Sequence, residues 1–213
     1  MLKQLKITNV GPANIELEFA DRLNLITGDN GLGKSFLLDI AWWAMTRKWP
    51  AEVNPKLTAG KVALPTDKKQ KAEIGFSFTG ASKTKAHAID FDPRLQNWSI
   101  PRGRPANPGM VFYAMADGSF AVWDPHRNYW RTQGDLDIQE RLPAYVLSPN
   151  EVWDGLASVE GSWLCNGLIR DLASWQKENG DAFKHLKAVL KVLSPSEDEI
   201  LTLGDLTRIS LDD

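Results

Sequence analysis

Gly28-Asp29-Asn30-Gly31-Leu32-Gly33-Lys34-Ser35 is a complete Walker A sequence, and its flanks are those a phosphate-binding loop requires. The apolar run Leu23-Asn24-Leu25-Ile26-Thr27 before it reads as a short buried strand. The run Ser35-Phe36-Leu37-Leu38-Asp39-Ile40-Ala41-Trp42-Trp43-Ala44-Met45 after it reads as a helix. The three glycines permit backbone turns closed to other residues, so successive N–H groups can point into one hollow. The positive end of the following helix adds to the same hollow. On this reading Lys34 reaches the β- and γ-phosphates of a nucleoside triphosphate as a mobile point charge, and the Ser35 hydroxyl joins the shell of a Mg²⁺ ion.

Working outward, the stretch before the loop alternates. Leu2-Lys3-Gln4-Leu5-Lys6-Ile7-Thr8-Asn9-Val10 and Ile15-Glu16-Leu17-Glu18-Phe19 read as two half-buried strands joined by the turn Gly11-Pro12-Ala13-Asn14. The helix after the loop is apolar nearly all round, as a helix sandwiched in a core should be, and it ends near Trp49-Pro50. From Ala51 to about Ala72 proline, glycine and lysine are frequent, which predicts a mobile loop. Glu73 to Thr79 and Ala86 to Phe91 read as two strands, and Met110 to Met115 and Ser119 to Trp123 flank Ala116-Asp117-Gly118 as a hairpin. Pro143 to Leu147 is a further strand. Beyond it, 161–176 and 181–193 read as helices broken at Asn179-Gly180 and stopped by Ser194-Pro195.

Composition sets the outer limits. The 213 residues, 43% hydrophobic and 24% charged, fit one domain with a sizeable core or one domain carrying an inserted lobe. No apolar stretch reaches the length of a membrane span, so no membrane partner is expected. The single cysteine, Cys165, has no partner for a disulfide or a zinc site, which suggests a cytoplasmic location and a buried helix-face thiol. The net charge of −2 hides a basic middle: residues 47–104 carry +7 against −9 in the remainder. Such a segment can attract nucleic acid or can be an ordinary solvated surface. The nine tryptophans, Trp42 and Trp43 among them, lack the spacing of a stacking platform and are expected in packing.

The Asn-Gly form of the loop, preceded by Leu-Asn-Leu-Ile-Thr and followed by Leu-Leu-Asp-Ile, resembles the start of an ABC-type ATPase head. The nearest flavour is the RecF-like and structural-maintenance-of-chromosomes (SMC-like) group, often labelled AAA in bacterial genomes. The motif-specific resemblance covers about the first 45 residues. It implies an α/β P-loop NTPase fold, the N-terminal half of an ABC-type head with a β-rich insertion and a helical lobe. The corresponding division is 1–50 for the strand–loop–helix core, 51–150 for a β-rich subdomain with basic loops, and 151–213 for a helical lobe. The resemblance further implies ATP and Mg²⁺ as ligands, with Gly28, Asp29, Asn30, Gly31, Leu32, Gly33, Lys34, Ser35 and Phe36 around the nucleotide. Lys34 would be the catalytic charge and Ser35 the metal ligand. Partners implied are a second copy or another ATPase subunit, with nucleic acid reached through residues 47–104.

The rest of that family's apparatus is harder to place. The strand end Val146-Leu147-Ser148-Pro149-Asn150-Glu151 stands where a Q-loop would, without a glutamine. No Ser-Gly-Gly signature occurs. Phe120-Ala121-Val122-Trp123-Asp124 and Ile209-Ser210-Leu211-Asp212-Asp213 are poor Walker B candidates, and His126 reads as a turn residue more readily than as a switch histidine. The chain is therefore expected to correspond to the amino-terminal part of a longer ATPase, binding ATP without efficient hydrolysis. The role implied for the whole is DNA-linked, in repair or phage defence. The competing classes are a non-hydrolysing, nucleotide-dependent interaction module, a small-molecule kinase and a transporter ATPase. The two amphipathic strands before Leu23 argue against the kinase.

Overall fold

Leu2, Leu5 and Ile7 are all buried, although a regular strand would turn Leu2 to the face opposite Leu5. A register irregularity between Leu2 and Gln4 in strand β1 (Leu2–Thr8) supplies the extra residue that brings all three to one face. The computed structural model describes residues 1–12, 14–79, 84–99, 109–124, 144–157 and 163–193. The chain divides into two units, Met1–Pro149 and Asn150–Asp213.

In the first unit β1 is paired on both sides, by β2 (Ile15–Glu18) and by β3 (Glu73–Thr79). Strands β4 (Thr84–Asp92) and β5 (Asn97–Trp98) complete an antiparallel sheet of order β2-β1-β3-β4-β5. The register aligns Leu5, Phe76 and His87 in one row and Ile7, Ile74 and Ile89 in the next. Opposite that row of apolar side chains the sheet is polar, with Lys6 paired to Glu16 at 2.9 Å and Lys71 to Glu73 and Asp90 at 3.1 and 3.0 Å.

Helix α1 (Lys34–Thr46) lies on the apolar face, contributing Leu37, Ile40, Trp43 and Ala44 to the core formed with the sheet. Trp43 is the hub. Its ring stacks on Trp49 at 5.3 Å and meets Trp98 at 5.9 Å and Phe76 edge-on at 6.4 Å. Trp42, its neighbour in sequence, turns the other way into a second core cluster with Leu57, Met115, Ala121, Trp123, Ala144 and Val146. That cluster belongs to the antiparallel sheet β6-β7-β8, built from Val111–Ala114, Phe120–Trp123 and Ala144–Leu147. The helix is thus buried from two sides, as its all-round apolar sequence requires.

α1 closes at Thr46, whose hydroxyl donates to the Trp42 carbonyl at 2.9 Å, and Arg47 caps it in the left-handed conformation. Helix α2 (Pro50–Val53) then begins with proline at its first position. Of residues 51–72, expected to be a mobile loop, 51–53 belong to α2 and the remainder is fastened in place. Asn9 donates through Nδ2 to the carbonyls of Asp67 and Gln70, at 2.8 and 3.1 Å, and accepts the Asp67 N–H at 2.9 Å. The indole N–H of Trp98 donates to Ala63 O at 2.9 Å, and Leu57 and Ala63 are buried. A loop whose backbone groups are satisfied by a distant side chain carries little local sequence signal.

One further expectation changes in the first unit. Residues 23–27 lie in no sheet, and Leu23 and Leu25 are each 84% exposed. No described strand lies beside them to complete a ladder. The hairpin reading of residues 110–123 holds, so Phe120 to Trp123 is the central strand of the second sheet.

The second unit opens with helix α3 (Pro149–Asp154), at the boundary, and a small ladder of β9 (Leu156–Ala157) with β10 (Trp163–Cys165). Helices α4 (Leu168–Glu178) and α5 (Asp181–Leu193) follow, joined at Asn179 in the left-handed conformation. Residues 163–165 were expected to be helical. Gly167 moves the helix start to Leu168, because its backbone crosses that of Gly155 so closely that a Cβ on it would lie 2.4 Å from the Gly155 nitrogen. Cys165 consequently sits half-buried on a strand, where a helix face was expected.

Candidate functional site

The loop of residues 28–35 is formed by its own backbone and seated by its neighbours. Gly31 and Gly33 take φ of 84° and 82°, a region that costs other residues about 1–2 kcal/mol. The Gly11-Pro12 turn packs beneath the junction of loop and helix. A Cβ on Gly11 would collide with the Phe36 ring at 2.3 Å, and one on Gly33 would press on Pro12 Cγ at 3.0 Å. The Thr66 hydroxyl donates to Gly11 O at 2.6 Å and holds that turn from the far side. Above Gly31 the situation is reversed, since nothing lies within 4 Å of where its Cβ would be.

Helix α1 begins with Gly33 as N-cap, with no side-chain capping bond and no acidic residue in its first turn. Its first internal bond runs from Leu37 N–H to Gly33 O at 3.0 Å. The N–H groups of the first turn are therefore turned toward the loop without an intrahelical acceptor. Lys34 Nζ donates to the carbonyls of Gly28 and Asp29, both at 2.7 Å, which ties the helix start to the front of the loop. An ammonium has three donors, so one remains for a ligand. Ser35 is exposed beside it. Uncapped helix start, lysine, exposed hydroxyl and open space over Gly31 together fit a phosphate chain.

Mg²⁺ fits the same place in the manner usual for that ion, on a hydroxyl, waters and the phosphates themselves, with Ser35 as the protein's contribution. Among the described residues no cluster of three or more His, Cys, Asp or Glu side chains could hold a metal independently.

One feature of the loop's surroundings was not anticipated. Asp39, one turn beyond Ser35, is only 9% exposed and accepts the Tyr113 hydroxyl at 2.8 Å; that hydroxyl also lies 3.5 Å from the Ser35 carbonyl. Burial pushes the Asp39 carboxyl above its ordinary range and the nearby Asp117 charge adds to this, against the opposing hydrogen bonds from Tyr113 and the Gly60 backbone. Burial and the adjacent carboxylate push the Tyr113 phenol up as well. The sequence signal was a lone carboxylate in an otherwise apolar helix.

The basic middle segment is not one surface. Arg47 is 9% exposed, its guanidinium 4.6 Å over the Phe76 ring and 5.7 Å over Trp43, and burial pushes its pKa down to about 10. Lys71 is engaged with Glu73 and Asp90, which raise its pKa. Lys48, Lys56, Lys61, Lys68, Lys69 and Arg94 are exposed. Lys83, Arg102, Arg104, His126 and residues 209–213 lie outside the described residues, as does the side chain of Lys85. Of the residues considered for a Q-loop, Ser148 is buried and Asn150 exposed. Among the described residues no helix is long and apolar enough to cross a membrane.

No curated protein and no solved structure matches the chain. A family of P-loop ATPase domains does match, over residues 23–212, so that the agreement starts just before the phosphate loop and runs through both units. By that match, and by the loop geometry at its front, the chain belongs to the family described as "AAA domain, putative AbiEii toxin, Type IV TA system".

Proposed function

We propose that this chain is the ATP-binding head of a RecF-like, SMC-like ATPase of the ABC type, which binds MgATP through residues 28–36 and associates with a second head in a DNA-linked process such as repair or phage defence. The observation that carries the reading is the uncapped start of α1, with Lys34 and Ser35 beside a glycine that faces open space. The antiparallel pair β1 and β2 ahead of the loop supports the RecF-like assignment over a kinase. The exposed lysines of residues 47–104 support a nucleic-acid contact.

Lys34 would neutralise phosphate charge, the amides of Asn30 through Lys34 would cradle the β-phosphate, and the Ser35 hydroxyl would hold Mg²⁺. Bound MgATP would supply the reactive γ-phosphoryl group. Phosphoryl transfer to water rests chiefly on positioning and charge neutralisation, so the loop contributes to it without covalent chemistry.

Calorimetric titration of MgATP into the chain tests the assignment, with Lys34→Ala as control. Stoichiometric binding is expected, weakened about tenfold or more in the variant, since a charge-assisted hydrogen bond contributes ~1.5–3 kcal/mol. Equal affinity in both proteins, or no binding by either, overturns it. Phosphate release measured on the same samples separates an ATPase from a non-hydrolysing, nucleotide-dependent interaction module, which would retain ATP intact.

A further inference from the structure

The second core cluster contains a polar contact that the nucleotide loop does not use directly. Asp39 follows Ser35 by four residues, so its own N–H belongs to the turn that begins at the Ser35 carbonyl. Tyr113 enters from β6, its ring 6.0 Å from that of Trp42, and places one hydroxyl against both Asp39 Oδ1 and the Ser35 carbonyl. The contact therefore joins three things: the first turn of α1, the sheet β6-β7-β8, and Ser35, the residue that would hold Mg²⁺. A half-buried phenol and a buried carboxylate give a directional contact where apolar packing would give none.

We propose that Asp39 and Tyr113 are positioning residues: their hydrogen bond fixes the first turn of α1 against the three-stranded sheet and so holds Ser35 in register for Mg²⁺. The proposal rests on the MgATP reading given above. Its consequence is selective. ATP phosphates are gripped mainly by amides and Lys34, so loss of the Tyr113 hydroxyl leaves metal-free ATP binding intact and removes part of what Mg²⁺ adds.

The test measures ATP affinity of the full chain with Mg²⁺ and with EDTA, in wild type, Tyr113→Phe, Asp39→Leu and Asp39→Asn. Expected is a loss of about fivefold or more in the Mg²⁺-dependent gain for Tyr113→Phe and Asp39→Leu, the scale of one hydrogen bond. Metal-free affinity should stay within about twofold, and Asp39→Asn, which keeps an acceptor oxygen, should retain the wild-type gain. An unaltered gain in Tyr113→Phe overturns the proposal. So does an equal loss with and without metal, the signature of a general structural role. Should Tyr113→Phe not fold, Asp39→Leu carries the same comparison.

Amide hydrogen exchange without nucleotide gives an independent readout. Residues 37–39, whose N–H groups close the bonds of the first turn, should exchange several-fold faster in Tyr113→Phe while residues 40–46 are unchanged, and unaltered exchange at 37–39 also overturns the proposal. If wild type binds no ATP, the nucleotide reading is what fails, and the exchange result still decides whether this contact holds the turn.

Discussion

At the scale of single residues, the loop depends on conformations more than on side chains. Gly33 is both the left-handed N-cap of α1 and the seat of Pro12, so Gly33→Ala combines backbone strain with a 3.0 Å contact. We expect it to cost about 1–2 kcal/mol in urea unfolding and to weaken ATP binding with it. Gly31→Ala shares the backbone strain but meets no neighbour, so it should unfold more easily by a smaller margin. Equal destabilisation of the two would mean that the Pro12 contact carries nothing. Arg47 teaches a different lesson about reading charge. In sequence it heads the basic segment; in the fold its guanidinium fills the space over Phe76 and Trp43. Arg47→Ala should cost about 1–3 kcal/mol through lost packing and cation–π contact and leave any nucleic-acid affinity unaltered.

At the scale of elements, what was legible is what has its own period or its own punctuation. β3 runs over Glu73–Thr79 as its alternation predicts, and α1 starts one residue before the expected helix but closes at Thr46, short of the stop expected near Trp49-Pro50. The turn of residues 28–35 into α1 was legible for a related reason, because glycines at fixed spacing describe a backbone shape, with positive φ at Gly28, Gly31 and Gly33. What failed depended on a partner distant in sequence. Within 54–72, Thr66, Asp67 and Gln70 are held by Asn9 and Ala63 by Trp98, and residues 23–27 stay outside every sheet despite an apolar run. The Asp39–Tyr113 contact spans 74 residues and has no local sign beyond a carboxylate in an apolar helix. Its titration can be followed. A carboxyl raised in the folded state holds its proton more tightly there than in the unfolded chain. The stability it contributes is therefore full below the ordinary aspartate value of 3.8 and is lost as pH rises through the folded value. Asp39→Asn removes this titration. Urea midpoints from pH 4 to 7 should fall less steeply with pH in the variant, and at neutral pH the variant should be no less stable than wild type. A steeper fall, or a marked loss at pH 7, would show that the ionised carboxylate is favoured in the fold.

At the scale of the whole molecule, the arrangement gives the nucleotide loop a load path. α1 starts at the proposed phosphate site and is buried between two sheets, through Trp43 on one side and Trp42 on the other. Any ligand that orders its first turn must therefore stabilise the packed body behind it, by an amount set by affinity and concentration alone. The basic surface is a separate matter, and the structure divides it unevenly. Lys71 has two carboxylate partners, whereas the neighbouring Lys68 and Lys69 are exposed. If residues 47–104 meet nucleic acid through phosphate contacts, each neutralised phosphate adds about 0.9 to the slope of log affinity against log salt. Lys68→Glu with Lys69→Glu should then weaken binding to a duplex of arbitrary sequence and flatten that slope by roughly 2, the share of two phosphate contacts. Lys71→Glu alone should change the slope less, because its ammonium is already engaged, and should instead destabilise the pairing of β3 with β4 by placing a third carboxylate beside Glu73 and Asp90. Fluorescence anisotropy at several salt concentrations reads both outcomes, and a salt slope identical in all three proteins would exclude this surface as the electrostatic contact.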